Sequence, residues 1–138
     1  MNFHTFDPID ITRISENSIQ YSYDLTNYIP EKIKITQEKY KKYYILHDNG
    51  TTIGSFLHDL KDPNSKSIDD YAYSLNRYYT LYNKIFDIAD TLHITLEPIK
   101  NGIRLMCWIE NEEDLEITRD NLLYVSFRIN KFIQKNLN

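Results

Sequence analysis

The sequence predicts an α+β fold in which two long helices pack on one face of a mostly antiparallel sheet. Three features carry this prediction: short runs that alternate apolar and polar residues, two long runs of helical periodicity, and an Asn-Gly pair between two strand-like runs. The 138 residues suit one domain with a substantial core. We divide that domain into an N-terminal segment 1–28, which fits no single period, and an α+β core 29–138.

The strand-like runs lie in the first half of the chain. Residues 18–24 place an isoleucine and two tyrosines on one face of a strand, and in 31–36 isoleucines alternate with lysines. A further strand, 39–47, is rich in tyrosine and isoleucine. We expect it to end at Asp48-Asn49-Gly50, because this triplet favours left-handed backbone conformations and a tight turn.

Two helices are predicted next. Thr52 is positioned to cap a short helix that runs to Leu60 and is closed by residues 62–65. Ser67, followed three residues later by Asp70, resembles a capping box that begins a longer helix. We expect about 25 residues there, roughly 37 Å in length. Its apolar stripe is Ile68, Tyr71, Leu75, Tyr78, Tyr82, Ile85, Ala89 and Leu92.

A hairpin and a last helix complete the predicted fold. Residues 94–97 and 103–109 flank a turn centred on Asn101-Gly102. Alternation places Ile103, Leu105, Cys107 and Ile109 on one face of the second strand, and Arg104, Met106 and Trp108 on the other. The last helix begins within residues 112–114, where carboxylates complement the positive end of a helix dipole. Its apolar positions are Leu115, Leu122, Val125, Ile129, Phe132 and Ile133.

Composition narrows the classes of function. Three glycines leave little material for phosphate-cradling loops or dinucleotide turns, which need residues that accept positive φ. The formal net charge of −4 argues against a non-specific nucleic-acid binder. The single cysteine excludes an internal disulfide and suits a reducing compartment. With no apolar run of about 20 residues and no secretory leader pattern, we expect a cytoplasmic protein.

Residue usage points to an origin. Isoleucine, asparagine, tyrosine and lysine supply 55 positions, whereas alanine supplies two. These four residues have AT-rich codons, so we expect a low-GC bacterial or phage genome. That bias accounts for much of the tyrosine content without reference to function.

Residues 44–53, YILHDNGTTI, followed by Phe56, Leu57 and Leu60, resemble a family of small uncharacterised domains of bacteria and their phages. In that family a strand ends in an Asp-Asp-Gly-x-Thr-type turn and leads into a short helix, a longer helix, a hairpin and a final helix. Asn49 stands here in place of the second aspartate. The similarity runs from about Ile33 to the C-terminus. It implies the same fold and, because members occur on mobile elements, a context of host–parasite conflict; the family has no established activity.

Residues that carry chemistry are few. His47 and Asp48 are adjacent in a strand and so point to opposite faces, which favours a structural interpretation in which Asp48 binds its own turn. An enzyme with a site at His47, Asp48 and His58 is our third hypothesis. The histidines and Cys107 lack metal-ligand spacing, so we expect no metal and no other cofactor. On the core face of its strand, Cys107 should be inert.

The leading hypothesis is a non-enzymatic module that binds and occludes a protein partner, as an inhibitor, a counter-defence protein or an antitoxin does. Its surface would join the Arg104, Met106 and Trp108 face to the acidic residues Glu110, Glu112, Glu113 and Asp114. This requires that no second layer, such as segment 1–28, covers that face. The structural interpretation of the acidic run is a solvated helix start.

The alternative hypothesis is a nucleic-acid-associated regulator, which would use Lys32, Lys34, Lys39, Tyr40, Lys41 and Lys42. The structural interpretation of these lysines is that they keep an exposed edge strand soluble. A homodimer is a further expectation, since both long helices carry apolar residues beyond a single stripe, and on the last helix these are Leu123, Tyr124 and Phe127.

Overall fold

The computed structural model describes residues 7–25, 28–29, 32–61, 66–100 and 102–137. Its strands are β1 (Asp10–Ser15), β2 (Ser18–Tyr23), β3 (Ile33–Lys39), β4 (Tyr44–His47), β5 (Thr95–Ile99) and β6 (Gly102–Ile109). Its helices are α1 (Phe56–Asp59), α2 (Ile68–Asp90) and α3 (Leu115–Lys135), with a 3-10 turn at Glu112–Asp114 before α3. The strands form an antiparallel sheet in the order β1-β2-β3-β4-β6-β5, which confirms the α+β prediction.

The sheet has a face covered by helices and a face that the described helices leave open. Helix α3 contacts β3, β4 and β6, while α2 contacts β5 and α3. Leu46 pairs with Cys107 on the covered face, and Ile45 pairs with Trp108 on the open face. The core on the covered side includes Ile33, Ile35, Leu46, Ile85, Leu105, Leu122, Val125 and Ile129. Each such side chain contributes roughly 1.5–3 kcal/mol on burial, so this face accounts for most of the folding energy.

Segment 1–28 adds β1 and β2 to the edge of the sheet. The strand predicted over 18–24 is confirmed as β2. Strand β1 was not predicted, because every one of its residues is exposed and a bulge between Arg13 and Ser15 interrupts its alternation. The two strands lengthen the sheet side by side with β3, so they do not form a second layer over the open face.

The boundary between β3 and β4 differs from the prediction. Strand β3 runs on to Lys39, and β4 begins only at Tyr44. The backbone N–H of Tyr40 donates to the carbonyl of Tyr43 at 2.8 Å, which closes a tight turn. Strand β3 lies between β2 and β4, so the expectation that its lysines protect an edge strand is wrong.

Helix α1 is shorter than predicted. It spans four residues after Ser55 instead of beginning at Thr52. The backbone N–H of Thr52 is bonded to the carboxylate of Asp48 at 3.0 Å, and Gly54 has a positive φ of 54° that a helix cannot include. The predicted closing segment, residues 62–65, lies outside the described residues.

Helix α2 begins as predicted, with the Ser67 hydroxyl accepting from the backbone N–H of Asp70 at 3.1 Å. The predicted stripe is buried only in its second half. Ile68 is 86% exposed and Tyr71 is also exposed. The buried residues are Ser74, Leu81, Ile85 and Ala89. A helix of 23 residues is roughly 34 Å long, and the first of its buried residues is Ser74, in its second turn.

Helix α3 follows the acidic 3-10 turn, in agreement with the predicted start. Leu123 is fully buried and Phe127 is 6% exposed, with the Tyr28 ring edge-on to Phe127. Two of the three residues of α3 that suggested a homodimer are therefore part of the core of one chain, whereas the third, Tyr124, is exposed. Among the described helices, none has the length and apolar character needed to cross a membrane.

Candidate functional site

Three aromatic rings form a row at one end of the open face. The Trp108 side chain is 59% exposed. The Tyr43 ring packs edge-on against it with 5.3 Å between centroids, and Tyr40 stacks on Tyr43 at 4.9 Å. We call Tyr40, Tyr43 and Trp108 the aromatic row. Ring contacts of this kind contribute roughly 0.5–1.5 kcal/mol each beyond buried area, so they restrict the orientation of the exposed indole.

The register of two strands places this row. Ile45 of β4 lies opposite Trp108 of β6, and side chains two residues apart in a strand share a face. Tyr43, two residues before Ile45, therefore lies diagonally across from Trp108. The tight turn at Tyr40–Tyr43 then returns Tyr40 onto the Tyr43 ring.

Charged residues of both signs surround the row. Lys41, Lys42 and Glu110 line a shallow depression of about 420 Å³ together with Tyr43 and Trp108. The acidic residues of the 3-10 turn, Glu112, Glu113 and Asp114, are exposed and follow directly along the chain. The structure thus brings together parts of two residue sets that the sequence offered as alternatives.

The remaining lysines of the alternative set lie elsewhere. Lys32, Lys34 and Lys39 are exposed, but they do not line the depression beside Trp108. Lys34 lies on β3, opposite Ser22 of β2. The predicted nucleic-acid surface is therefore divided, with only its Tyr40, Lys41 and Lys42 part at the aromatic row.

Arg104 and Met106 lie on the same face of β6 as Trp108, but their side chains are less accessible to a binding partner than that of Trp108. The Arg104 Nε donates to Glu97 Oε1 at 2.6 Å across the β5–β6 pair. Both Arg104 and Met106 are partly buried. Trp108 is consequently the main exposed apolar group of the three predicted contact residues.

His47 is buried on the open face. Its Nδ1 accepts from the backbone N–H of Asn49 at 3.0 Å, so the proton of the neutral ring is on Nε2, which lies 3.4 Å from Glu38 Oε1. Burial, aided by the charge of Arg104, lowers the pKa of His47 and outweighs the opposing effect of Glu38. The Thr36 hydroxyl donates to Asn49 Oδ1 at 2.9 Å, so the turn after β4 closes over this end of the face.

Asp48 fastens that turn to the neighbouring strand. Its carboxylate is fully buried and accepts three backbone N–H groups, those of Gly50, Thr52 and Leu105, at 2.9–3.0 Å. The expected bonding of Asp48 to its own turn is observed, and the bond to Leu105 adds a link to β6. Asp48 and His47 do not line the described clefts, whereas His58 is exposed on α1. The described residues do not assemble the site of the enzyme hypothesis.

The three glycines meet where the β4–α1 turn contacts the β5–β6 hairpin. A Cβ on Gly50, whose φ is 73°, would lie 2.6 Å from Ile99 Cδ1. A Cβ on Gly102 would lie 3.1 Å from the Gly54 carbonyl oxygen. Sequence reasoning missed this junction, because residues 50, 54 and 102 are joined by no local pattern. The signal in the sequence was the scarcity of glycine. In this chain glycine is kept for positions where two segments approach closely.

The remaining groups to consider are the Cys107 thiol and the side chains that could bind a metal ion. Burial raises the pKa of the Cys107 thiol to about 12, as its predicted place on the core face requires. Within the described ranges, no group of three or more His, Cys, Asp or Glu side chains is arranged to hold a metal ion. Comparison with protein-family models, with curated proteins and with solved structures found no match.

Proposed function

We propose that this protein is a non-enzymatic interaction module that binds a protein partner through the open face of its sheet and occludes part of the partner's surface. Trp108 is its anchor. The observation that carries this proposal is an indole 59% exposed to solvent yet held by the Tyr43 ring. A host–parasite setting, in which the protein acts as an inhibitor, a counter-defence protein or an antitoxin, is the context that we infer from its amino-acid usage and from its resemblance to mobile-element domains.

Folding does not account for the exposure of Trp108. A tryptophan on a surface strand leaves a large apolar area in water, whereas a partner that covers it gains that burial at low entropic cost because the ring is already ordered. Tryptophan is also enriched among residues that dominate binding energy. A pre-positioned, exposed indole is therefore suited to be the centre of an interface.

The charges around the anchor favour a protein over a nucleic acid. Glu110 borders the depression beside Trp108, and Glu112, Glu113 and Asp114 follow in the next turn. These carboxylates repel a phosphate backbone, and the chain as a whole carries a formal charge of −4. They complement a partner surface with an apolar pocket and a basic rim.

A matched set of variants tests this assignment. The Met106→Ala/Trp108→Ala double variant should weaken partner binding at least about 30-fold, the effect of losing a hot spot of about 2 kcal/mol. Tyr73→Ala is the control, because Tyr73 is 70% exposed on α2 and lies outside the open face. Partners are captured on the immobilised protein from cells of origin, identified by mass spectrometry, purified and titrated against each variant.

Unchanged affinity of the double variant, with folding verified by circular dichroism, contradicts the proposed surface. A captured species that is nuclease-sensitive, and whose binding falls steeply with salt, would instead favour the nucleic-acid alternative. The observation that favours this alternative is the position of Tyr40, Lys41 and Lys42 at the aromatic row. A Lys41→Gln/Lys42→Gln variant would then lose most of its affinity, whereas the protein-binding proposal expects it to lose little.

A further inference from the structure

A second site lies away from the aromatic row, in a cleft of about 660 Å³ between α1, α2 and the β5–β6 hairpin. Its volume falls within the range of about 300–1,000 Å³ typical of small-molecule pockets. Three tyrosines of α2 (Tyr78, Tyr79 and Tyr82) form one wall, and Leu96 and Pro98 of the hairpin lie among the apolar residues opposite.

Tight backbone packing forms the floor of the cleft. Gly54 and Gly102 both line it, and the space between them leaves no room for an unadjusted Cβ on Gly102. The Asp48 carboxylate bonds the backbone N–H groups of Thr52 and Leu105, which holds the β4–α1 turn against the hairpin strand. Fixed segments on two sides give the cleft a preformed shape, which lowers the ordering cost of binding.

Aromatic surface and positive charge coincide in this cleft. The Tyr78 and Tyr82 rings lie nearly parallel, with 6.1 Å between centroids, and the Lys61 Nζ is 4.4 Å from the Tyr78 ring centroid. His58 also lines the cleft. Among the described lining residues there is no aspartate or glutamate, and no described carboxylate forms an ion pair with Lys61. In a chain of net negative charge, the described lining of this cleft carries the Lys61 cation and no carboxylate.

We infer that this cleft binds a small aromatic anion, with its ring against the tyrosine wall and its carboxylate or phosphate near Lys61. The tyrosine faces supply stacking, and the apolar hairpin residues bury the opposite side of the ring. The Lys61 ammonium ion, which rests on Tyr78 and is unpaired with acid among the described residues, supplies a charge-assisted hydrogen bond. This site shares no residue with the aromatic row, so it does not depend on the proposed function.

The test uses three probes with the same ring and different charges: 2-naphthoate, 2-naphthalenemethanol and 2-naphthylmethylamine. Binding is measured by ¹H–¹⁵N chemical-shift titration, which suits a 16.6 kDa chain. We expect 2-naphthoate to shift amide signals of α1, the Tyr78–Tyr82 turn and the hairpin. The neutral alcohol should bind about tenfold more weakly and the amine more weakly still, because charge-assisted contacts are roughly twice as strong as neutral ones.

Lys61→Gln should reduce 2-naphthoate affinity to that of the alcohol and leave alcohol binding unchanged. Lys84→Gln is the matched control, since Lys84 is exposed on α2 and does not line the cleft. Equal affinity for the three probes would overturn the assignment of an anion. Absence of shifts at millimolar 2-naphthoate, or shifts confined to the aromatic row, would overturn the site itself.

Discussion

The two faces of the sheet are built from the same strands but have different roles. In β6, Leu105 and Cys107 face the helices and are at most 8% exposed, whereas the intervening Met106 and the following Trp108 face away. The covered face follows directly from the need to bury apolar area. On the open face, the aromatic row satisfies no such need. A strand can therefore place one set of side chains in the core and leave a second set exposed, which our proposal assigns to recognition.

The open face is itself divided. At one end, Thr36 and His47 are buried beneath the turn that Asp48 holds in place. At the other end, Trp108 is exposed beside Tyr43. This difference separates a structural end from an exposed end, and the following predictions test each part of the comparison.

The largest expected effect is a difference in the free energy of unfolding between substitutions at two neighbouring residues that lie on opposite faces of the sheet. Leu46→Ala should destabilise the protein by about 2–5 kcal/mol, because Leu46 is fully buried and its removal leaves a cavity. Ile45→Ala, one residue earlier and facing the open side, should cost less than about 1.5 kcal/mol, since Ile45 is only partly buried. Urea denaturation measures both values. Equal losses would mean that the two faces do not differ as described.

The next effect concerns the turn that closes the structural end. Asp48→Asn should cost about 2–3 kcal/mol, because an amide N–H₂ replaces one of the carboxylate oxygens that accept backbone N–H groups. Asp59→Asn is the control, since Asp59 is exposed and its carboxylate accepts only the Ser55 hydroxyl among the described contacts. Thermal unfolding of both variants checks this. A similar melting temperature for the two would contradict the role of Asp48 in holding the turn against β6.

A smaller effect arises from His47. Its pKa in the folded state is lowered below 6.5, so as the pH falls through 6.5 the unfolded chain binds a proton that the folded protein excludes. The stability contributed by the neutral ring is complete above pH 6.5 and is lost progressively below it. We expect His47→Asn, which keeps an acceptor for the Asn49 N–H, to flatten the stability profile in the window below pH 6.5. An unchanged slope, measured by urea denaturation across that window, would contradict this account.

The smallest expected effect is that the Cys107 thiol does not react in the folded protein. Because burial raises the pKa of Cys107 to about 12, its thiol should resist 5,5′-dithiobis(2-nitrobenzoate) at pH 8 in the folded protein and react promptly in 6 M guanidinium chloride, about the concentration at which most proteins are unfolded. Rapid labelling without denaturant would show that the covered face opens readily.

Local patterns allowed much of the fold to be predicted. The alternation in β6, the Ser67 cap and the acidic start of α3 depend on residues close in sequence, and the structure confirms all three. The depth of burial along α2 was predicted less well. Ile68 has the right spacing but is 86% exposed, and spacing alone does not say how far along a helix its burial extends.

The aromatic row and the cleft depend on contacts between residues distant in the sequence, which local spacing does not predict. Trp108 was identified as outward-facing, but its contact with Tyr43 arises from the pairing of β4 with β6 across more than 60 residues. The junction of Gly54 with Gly102 and the cleft above it likewise join distant segments. Such contacts are determined by the strand order β1-β2-β3-β4-β6-β5, which no local pattern encodes.

The most direct test of the binding surface is site-specific photocross-linking in cells of origin. The photoreactive residue p-benzoylphenylalanine is placed at position 108 in one variant and at position 73 in the other, where the native Tyr73 is more exposed than Trp108 but lies on α2. We predict one discrete, nuclease-resistant protein adduct from position 108 and none of that mass from position 73. Identical adduct patterns from both positions, or no adduct from position 108, would contradict the assignment of Trp108 as the anchor.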